Sequence, residues 1–274
     1  MTQPESQKCG IDEDERRDWR VLVNSKASHA VENGPRWLQL RGEAVKTPWG
    51  AVRITGRLGQ QHADVLEAIC YEREKKGELE DGRIKLLVDP ARVRRRAGQT
   101  SGMRFAEVLK ELEAAVIEII EPEHFACSGH LIDHIDKARR ADGSYITREN
   151  PLSGGERHLW RVEIGKALCT LVADDIWIGY DPAGIARLNH GVSQAVARHV
   201  LSHKTQPRGG GALDPLIRAV AGGEQSEMQM RDRRREIRAD ADALRAIGVE
   251  IDGDRVRVEQ MPGAWSKCPA LADT

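Results

Sequence analysis

Between Arg231 and Arg238 the chain sets five arginines against two acids, Asp232 and Glu236. At about 3.6 residues per turn, Arg231, Arg235 and Arg238 share one face of a helix, while Met230, Ile237, Ala241 and Leu244 share another. A guanidinium is a planar fork of donors that clamps a phosphate or reads the major-groove edge of guanine, so such a stripe is chemistry for nucleic acid. Gln229 near the helix start and Arg233 and Arg234 beside the stripe add further donors. Arg255 and Arg257 alternate with Val256 and Val258, a spacing that lets a strand point both arginines at phosphates or a minor groove. A solvated, salt-bridged face is the competing reading, because Asp232, Glu236, Asp240 and Asp242 are interleaved. The elements on either side favour the first.

Those elements follow in a telling order. A short helix over Leu216–Ala221 meets Gly222-Gly223, and a long helix is expected from about Ser226 to Ile247. Val249–Ile251 and Arg255–Val258 then flank Asp252-Gly253-Asp254, and Asp-Gly between alternating apolar residues is a strong hairpin signal. Helix, turn, basic helix and hairpin is the order of a winged helix, which lays one helix in a DNA groove with a β-wing beside it.

The same logic is expected upstream. Trp37–Ile54 suggests a hairpin turning at Thr47-Pro48-Trp49-Gly50. Val65, Leu66, Ile69 and Cys70 give a helical stripe within Leu58–Lys76, and Ile84–Val88 reads as a strand. Asp89 and Pro90 open a helix to Ala97, and Gly98–Gly102 turns into a helix over Met103–Val116. Arg104 and Lys110 lie on that candidate recognition helix, while Arg92, Arg94, Arg95 and Arg96 would clamp backbone. Ile117–Ile120 starts a strand that returns near Gly129–Ile135 or Leu159–Ile164. Further on, Trp160–Ile164, Gly165–Val172 and Ile176–Tyr180 read as strand, helix and strand, followed by helices opening at Asp181-Pro182 and Val192.

The expected fold class is therefore α+β, two tandem winged-helix domains behind a flexible N-terminal arm. The arm spans 1–35, the first domain 36–173 with a long insertion at 122–157 that holds Asp142-Gly143-Ser144 and Pro151–Gly155 and reads as a flexible wing tip or loop, the second 174–262, and a tail 263–274. The two modules repeat at the level of pattern, and no residue-by-residue identity is read between them.

Composition narrows the function classes. A net charge of −1 with local basic runs argues for focused patches over indiscriminate coating of nucleic acid. Aromatic residues make up 4% of the chain, too few for a base-stacking platform. Five scattered cysteines, with no CxxC pair, suit reduced thiols in a bacterial cytoplasm, and no apolar run is long enough to span a membrane. No catalytic set stands out, so no enzyme activity and no cofactor are expected. His124, Cys127, His130 and His134 approach zinc-ligand spacing, but without a paired CxxC no metal is expected. Leu152-Ser153-Gly154-Gly155-Glu156 matches the signature loop of ABC-type ATPases, yet no phosphate-cradling GxxxxGK[ST] accompanies it, and an ordinary turn explains it.

One resemblance is specific. Leu159-Trp160-Arg161-Val162, Leu171-Val172-Ala173, Ile176-Trp177-Ile178, Ile185–Leu188 and Ala195–Arg198 lead to Met230–Arg238 and Leu244–Gly248. This series resembles the iteron-binding replication initiators of IncQ-type plasmids, over about residues 55–258 in element order and most sharply over 159–250. The resemblance implies a protein that binds direct repeats in double-stranded DNA at a plasmid origin and promotes opening of adjacent AT-rich DNA. It admits a replicative helicase or host initiator as partner, and a homodimer, with no membrane role. Two alternatives use the same parts: a tandem winged-helix transcriptional repressor, and a winged-helix adaptor for other proteins. An adaptor has no need of an arginine-lined helix.

Overall fold

The computed structural model describes residues 38–39, 44–47, 50–120, 126–150, 153–171, 180–201, 207, 209–221 and 225–259. The expected arm (1–35), the tail (263–274), residues 176–179 of the strand expected at 176–180 and the module joint at 173–176 lie outside the described residues.

The fold is α+β, with helices packed on small antiparallel sheets. The N-terminal lobe begins with β1 (Leu38–Gln39), β2 (Ala44–Thr47), β3 (Gly50–Thr55) and β4 (Arg57–Leu58). Strands β2 and β3 form the expected hairpin, with Thr47 opposite Gly50. Then come α1 (Gln60–Tyr71), β5 (Arg73–Glu78), β6 (Ile84–Val88), α2 (Pro90–Arg96) and α3 (Gly102–Ala114). The lobe continues through β7 (Val116–Ile120), β8 (Ala126–His130), β9 (Ile132–Lys137), β10 (Thr147–Glu149), β11 (Glu156–His158), β12 (Trp160–Ile164) and α4 (Lys166–Leu171). Two four-stranded sheets, ordered β5-β6-β12-β9 and β2-β3-β7-β8, with β1-β4 and β10-β11 as two-stranded pairs, surround a core that includes Val65, Leu86, Val108, Leu112, Ile117 and Val162.

The C-terminal lobe holds α5 (Pro182–Ala186), α6 (Gly191–Leu201), β13 (Gly211–Ala212), α7 (Leu213–Ala221), α8 (Glu227–Ala239), α9 (Ala241–Ala246), β14 (Val249–Asp252) and β15 (Arg255–Val258). Its separate core contains Ile185, Val196, Leu213, Ile217, Met230, Ile237, Leu244 and Val256. Of the expected stripe, Met230, Ile237 and Leu244 are buried and Ala241 is half-buried, and each of the three larger side chains stabilises the lobe by about 1.5–3 kcal/mol. Gly253 sits at φ +57° in the β14–β15 turn, the left-handed conformation that the Asp-Gly signal anticipates.

The strand orders reveal a repeat. In the C-terminal sheet the order is β13-β15-β14, and within the N-terminal sheet it is β6-β12-β9. In both, the strand before the paired helices bonds to the last strand, which bonds to the middle one.

The lobes meet at α1. Arg198 of α6 is 0% exposed, and its Nε donates to Glu67 Oε1 at 2.9 Å while Nη2 donates to Glu67 Oε2 at 3.1 Å and to Asp64 Oδ1 at 2.5 Å. Nη1 bonds Gln60, and the Tyr180 hydroxyl donates to Glu67 at 3.0 Å. Tyr180 packs on both cores. Burial pushes the Asp64 carboxyl up to about 6, against the pull of the Arg198 charge. Arg96 adds a second tie: it bonds Glu72 of its own lobe and reaches Asp181 of the other at 2.5 Å.

Four sequence expectations need correction. The helix expected to run to Lys76 ends at Tyr71, because the polar residues 73–78 form an edge strand on β6 that hydrophobic periodicity cannot see. The helix expected over 226–247 is two, α8 and α9, meeting at Asp240. That carboxylate is buried and accepts from Asn189 Nδ2 at 3.1 Å and from the His190 N–H at 3.0 Å, so it is drawn away from a straight helix toward the start of α6. The insertion at 122–157 is not one loop: β8 and β9 belong to the two main sheets, and β10 and β11 form a ribbon. Of the two returns expected for Ile117–Ile120, the nearer one holds in part, since β7 pairs with β8 on one side and β3 on the other. The fourth correction concerns the repeat itself.

Candidate nucleic-acid interface

Set in register by these elements, the two lobes do share residues. Asp89-Pro90 and Asp214-Pro215 stand at the opening of α2 and α7. Gly98 and Gly223 follow, then Ser101 and Ser226, then Met103 and Met228. Ser101 caps α3 by accepting from the Arg104 N–H at 3.3 Å, and Ser226 caps α8 by accepting from the Gln229 N–H at 3.3 Å. Phe105 and Met230, at the same step past each cap, are buried, as are Leu112 and Ile237 two turns later. The identities are spread through turn and cap positions and escape any search for hydrophobic pattern.

The opposite face of each helix is open. Positions at i, i+3 and i+7 place Met103, Ala106 and Lys110 on one ridge of α3, and Met228, Arg231 and Arg235 on the matching ridge of α8; all six are exposed. Arg235 is 76% exposed in a 3.2 Å ion pair with Asp232. Arg238 follows on the same side and bonds Asp254 in the hairpin turn at 2.9 Å. Arg255 and Arg257 are exposed on β15, the first donating to the Gly209 and Gly210 carbonyls at 3.3 and 3.4 Å, the second pairing with Asp252 at 3.1 Å. Exposed pairs of this kind are worth about 0–1 kcal/mol, so an incoming phosphate can displace the acid at little cost.

Other arginines are committed to structure. Arg234 grips Asp214 with two parallel bonds of 2.7 and 2.6 Å, fixing α8 to α7, and this hydrogen bonding holds the Asp214 carboxyl below the usual carboxylate range. Arg233 is 12% exposed and pairs with Glu236 at 3.3 Å. Gln229 accepts from the Ser226 N–H at 2.8 Å, completing a capping box. In the N-terminal lobe Arg92 pairs with Glu72 at 2.6 Å, and Arg96 holds the lobe interface. Arg104 donates to Gln61 at 3.1 Å and to Glu107 at 3.0 Å. Arg94 and Arg95 point outward with Lys110. The helix α3 is anchored from beneath by His62, whose Nδ1 accepts from the Gly59 N–H at 2.8 Å while Nε2 donates to Glu111 at 2.7 Å. Burial holds that imidazole below its ordinary range, against the pull of the Glu111 carboxylate.

Sequence reading placed a wing tip or loop at Asp142-Gly143-Ser144 but passed over the basic residues beside it. The connection from β9 to β10 turns at Asp142-Gly143 and carries Arg139 and Arg140, with Lys137 at the end of β9. The Arg139 guanidinium lies 4.4 Å from the Tyr145 ring centroid and donates to its hydroxyl at 2.7 Å, with Lys137 Nζ 5.7 Å from the same ring. The signal was present: Asp142-Gly143 is the same turn dipeptide as Asp252-Gly253. Nearby, Ser153-Gly154-Gly155 closes the β10–β11 ribbon as a tight turn, with Asn150 N donating to Gly155 O at 2.6 Å. His124 and the side chain of Cys127 lie outside the described residues, whereas His130 and His134 are exposed at β8 and β9. Among the described residues no group of three metal-ligating side chains converges, and no helix is long and apolar enough to cross a membrane.

No protein-family model and no curated protein matches the chain. Among solved structures, the fold is similar to a crystal structure of domains 2 and 3 of RctB, with a TM-score of 0.52 at 11% identity, covering 88% of this chain and 95% of that one. At that identity the likeness shows the fold: this chain has the α+β architecture of two consecutive RctB domains.

Proposed function

We propose that the chain is a sequence-specific, double-stranded DNA-binding protein of the replication-initiator kind, with α3 and α8 as the recognition helices of two winged helices in tandem. The observation that carries the reading is the repeat: each lobe caps a helix with Ser, opens the i, i+3, i+7 ridge to solvent and sends two later strands into a sheet of the same order, β9 and β12 in one lobe and β14 and β15 in the other. Such a helix fits a major groove, and the β14–β15 hairpin with Arg255 and Arg257 fits the adjoining backbone. The likeness to domains of RctB, a replication initiator, supports the same reading.

In this reading Arg231 and Arg235 read bases or clamp phosphates, Arg238, Arg255 and Arg257 hold backbone beside them, and Arg94, Arg95 and Lys110 serve the first lobe. Arg233, Arg234, Arg92 and Arg96 shape the protein that presents them. The Arg198 cluster fixes the two reading heads relative to each other, so a site with direct repeats is met in one orientation. The chain acts by binding and not by catalysis, with no cofactor. Energy stored in bent duplex favours opening of an AT-rich neighbour at a plasmid-type origin. Arg235→Ala tests the assignment: affinity for the preferred duplex falls by about 1–3 kcal/mol with discrimination relaxed at one base pair. Unchanged affinity and specificity would reject α8 as a recognition helix.

A further inference from the structure

Two large apolar side chains stand exposed at the same place in both lobes. Met103 is 76% exposed and Met228 66% exposed, each two residues past its helix-capping serine and at the N-terminal end of the outward ridge. Core packing explains neither, since the positions that face the cores are taken by Phe105 and Met230. A single exposed apolar residue is ordinary. The same flexible one recurs at the same step of both repeats, on the ridge that otherwise carries Lys110 in one lobe and Arg231 and Arg235 in the other.

We infer that Met103 and Met228 are specificity residues that pack on the 5-methyl group of a thymine, one in each half of the bound site. This rests on the proposal that α3 and α8 enter major grooves. The first residues of a recognition helix reach base edges, and thymine alone among the four bases presents a methyl group in that groove. The thioether side chain is unbranched and soft, so it follows the methyl group without the fixed geometry that a hydrogen bond demands. The neighbours on each ridge then set the lobes apart. Ala106, one turn on, adds a second small apolar contact in the first lobe, whereas Arg231 supplies a fork for guanine or phosphate in the second.

The test is a uracil scan. Each thymine of a selected duplex site is replaced singly by deoxyuridine, which deletes the methyl group and keeps the pairing edge, and binding of the full chain, Met228→Ala and Met103→Ala is measured by anisotropy. Burying one methyl group corresponds to about a fourfold change in affinity. The expected result is one thymine whose replacement weakens the unmodified chain about fourfold but leaves Met228→Ala unaffected, and a second thymine with the same dependence on Met103. Unaltered thermal melting verifies that both variants fold. Uracil costs that are equal in the unmodified chain and the variants, or absent everywhere, would overturn the assignment of the methionines while leaving DNA binding in place. Failure of the unmodified chain to bind any duplex would instead overturn the DNA reading and this inference with it.

Discussion

Replacing Arg198 with Met keeps most of the side-chain volume and removes the cation that Glu67, Asp64 and Gln60 surround. The guanidinium serves two carboxylates that are themselves buried, Glu67 and Asp64, together with Gln60. Breaking a buried ion pair from one side costs about 3–5 kcal/mol, because the remaining charge has neither water nor partner. Against a total stability of about 5–15 kcal/mol this is a large fraction. At roughly 2–4 °C per kcal/mol for a chain near this size, the melting temperature at pH 7 falls by about 6–20 °C. Protonation of Asp64 relieves part of the strain, so the deficit shrinks toward pH 5. Adding Glu67→Gln and Asp64→Asn to Arg198→Met removes the stranded charges and recovers most of the loss. Calorimetry on the parent, the single and the triple variant reads all of this. A melting temperature within about 2 °C of the parent for Arg198→Met alone would refute the reasoning, as would a triple variant no better than the single.

Asp64 titrates near 6 in the folded protein against 3.8 ordinarily, so its contribution to stability is complete below the lower value and is lost as pH rises through the higher one. Urea unfolding of Asp64→Asn should accordingly gain on the parent by roughly 2–3 kcal/mol between pH 4 and 7, and a constant difference would contradict the buried-carboxyl reading. Asp240→Ala strips the acceptor from Asn189 and His190 and should cost about 2–4 kcal/mol in chemical unfolding; a loss under about 0.5 kcal/mol would show that it does not organise the start of α6. Arg234→Ala, which frees Asp214, should lower stability by about 1 kcal/mol and leave the salt dependence of DNA binding unchanged. Arg235→Ala should do the reverse, keeping stability and reducing the salt slope by about 1. If both variants lose the same slope, the division between structural and DNA-facing arginines is wrong.

Much of the fold was legible because its signals are local. Met230, Ile237 and Leu244 announce a buried helical stripe, Asp89-Pro90 a helix start, and Asp252-Gly253 a hairpin, each through chemistry confined to a few residues. Edge strand β5 was not legible, since Arg73–Glu78 is polar on both faces and only pairing with β6 makes it a strand. The break at Asp240 was hidden for a related reason, because its partners Asn189 and His190 lie about fifty residues earlier. In the candidate interface, periodicity placed Arg231, Arg235 and Arg238 on one face correctly but could not tell that Arg234 would be held by Asp214. The methionines went unnoticed because an exposed Met looks like any apolar residue until the partner repeat is in register beside it. Arg198 read as one residue of a helix, and only the approach of α1 makes it the joint between lobes.

The central claim is that two repeated helix faces read duplex DNA in tandem, and selection from random duplex pools at moderate salt, with sequencing of the bound fraction, tests it most directly. The account predicts enrichment of one asymmetric motif of about two helical turns, with a thymine in each half and guanine contacts concentrated in one. A palindrome would point to a symmetric dimer acting as a repressor. Recovery of no motif at all would contradict the account and leave the exposed arginines as a solvated surface.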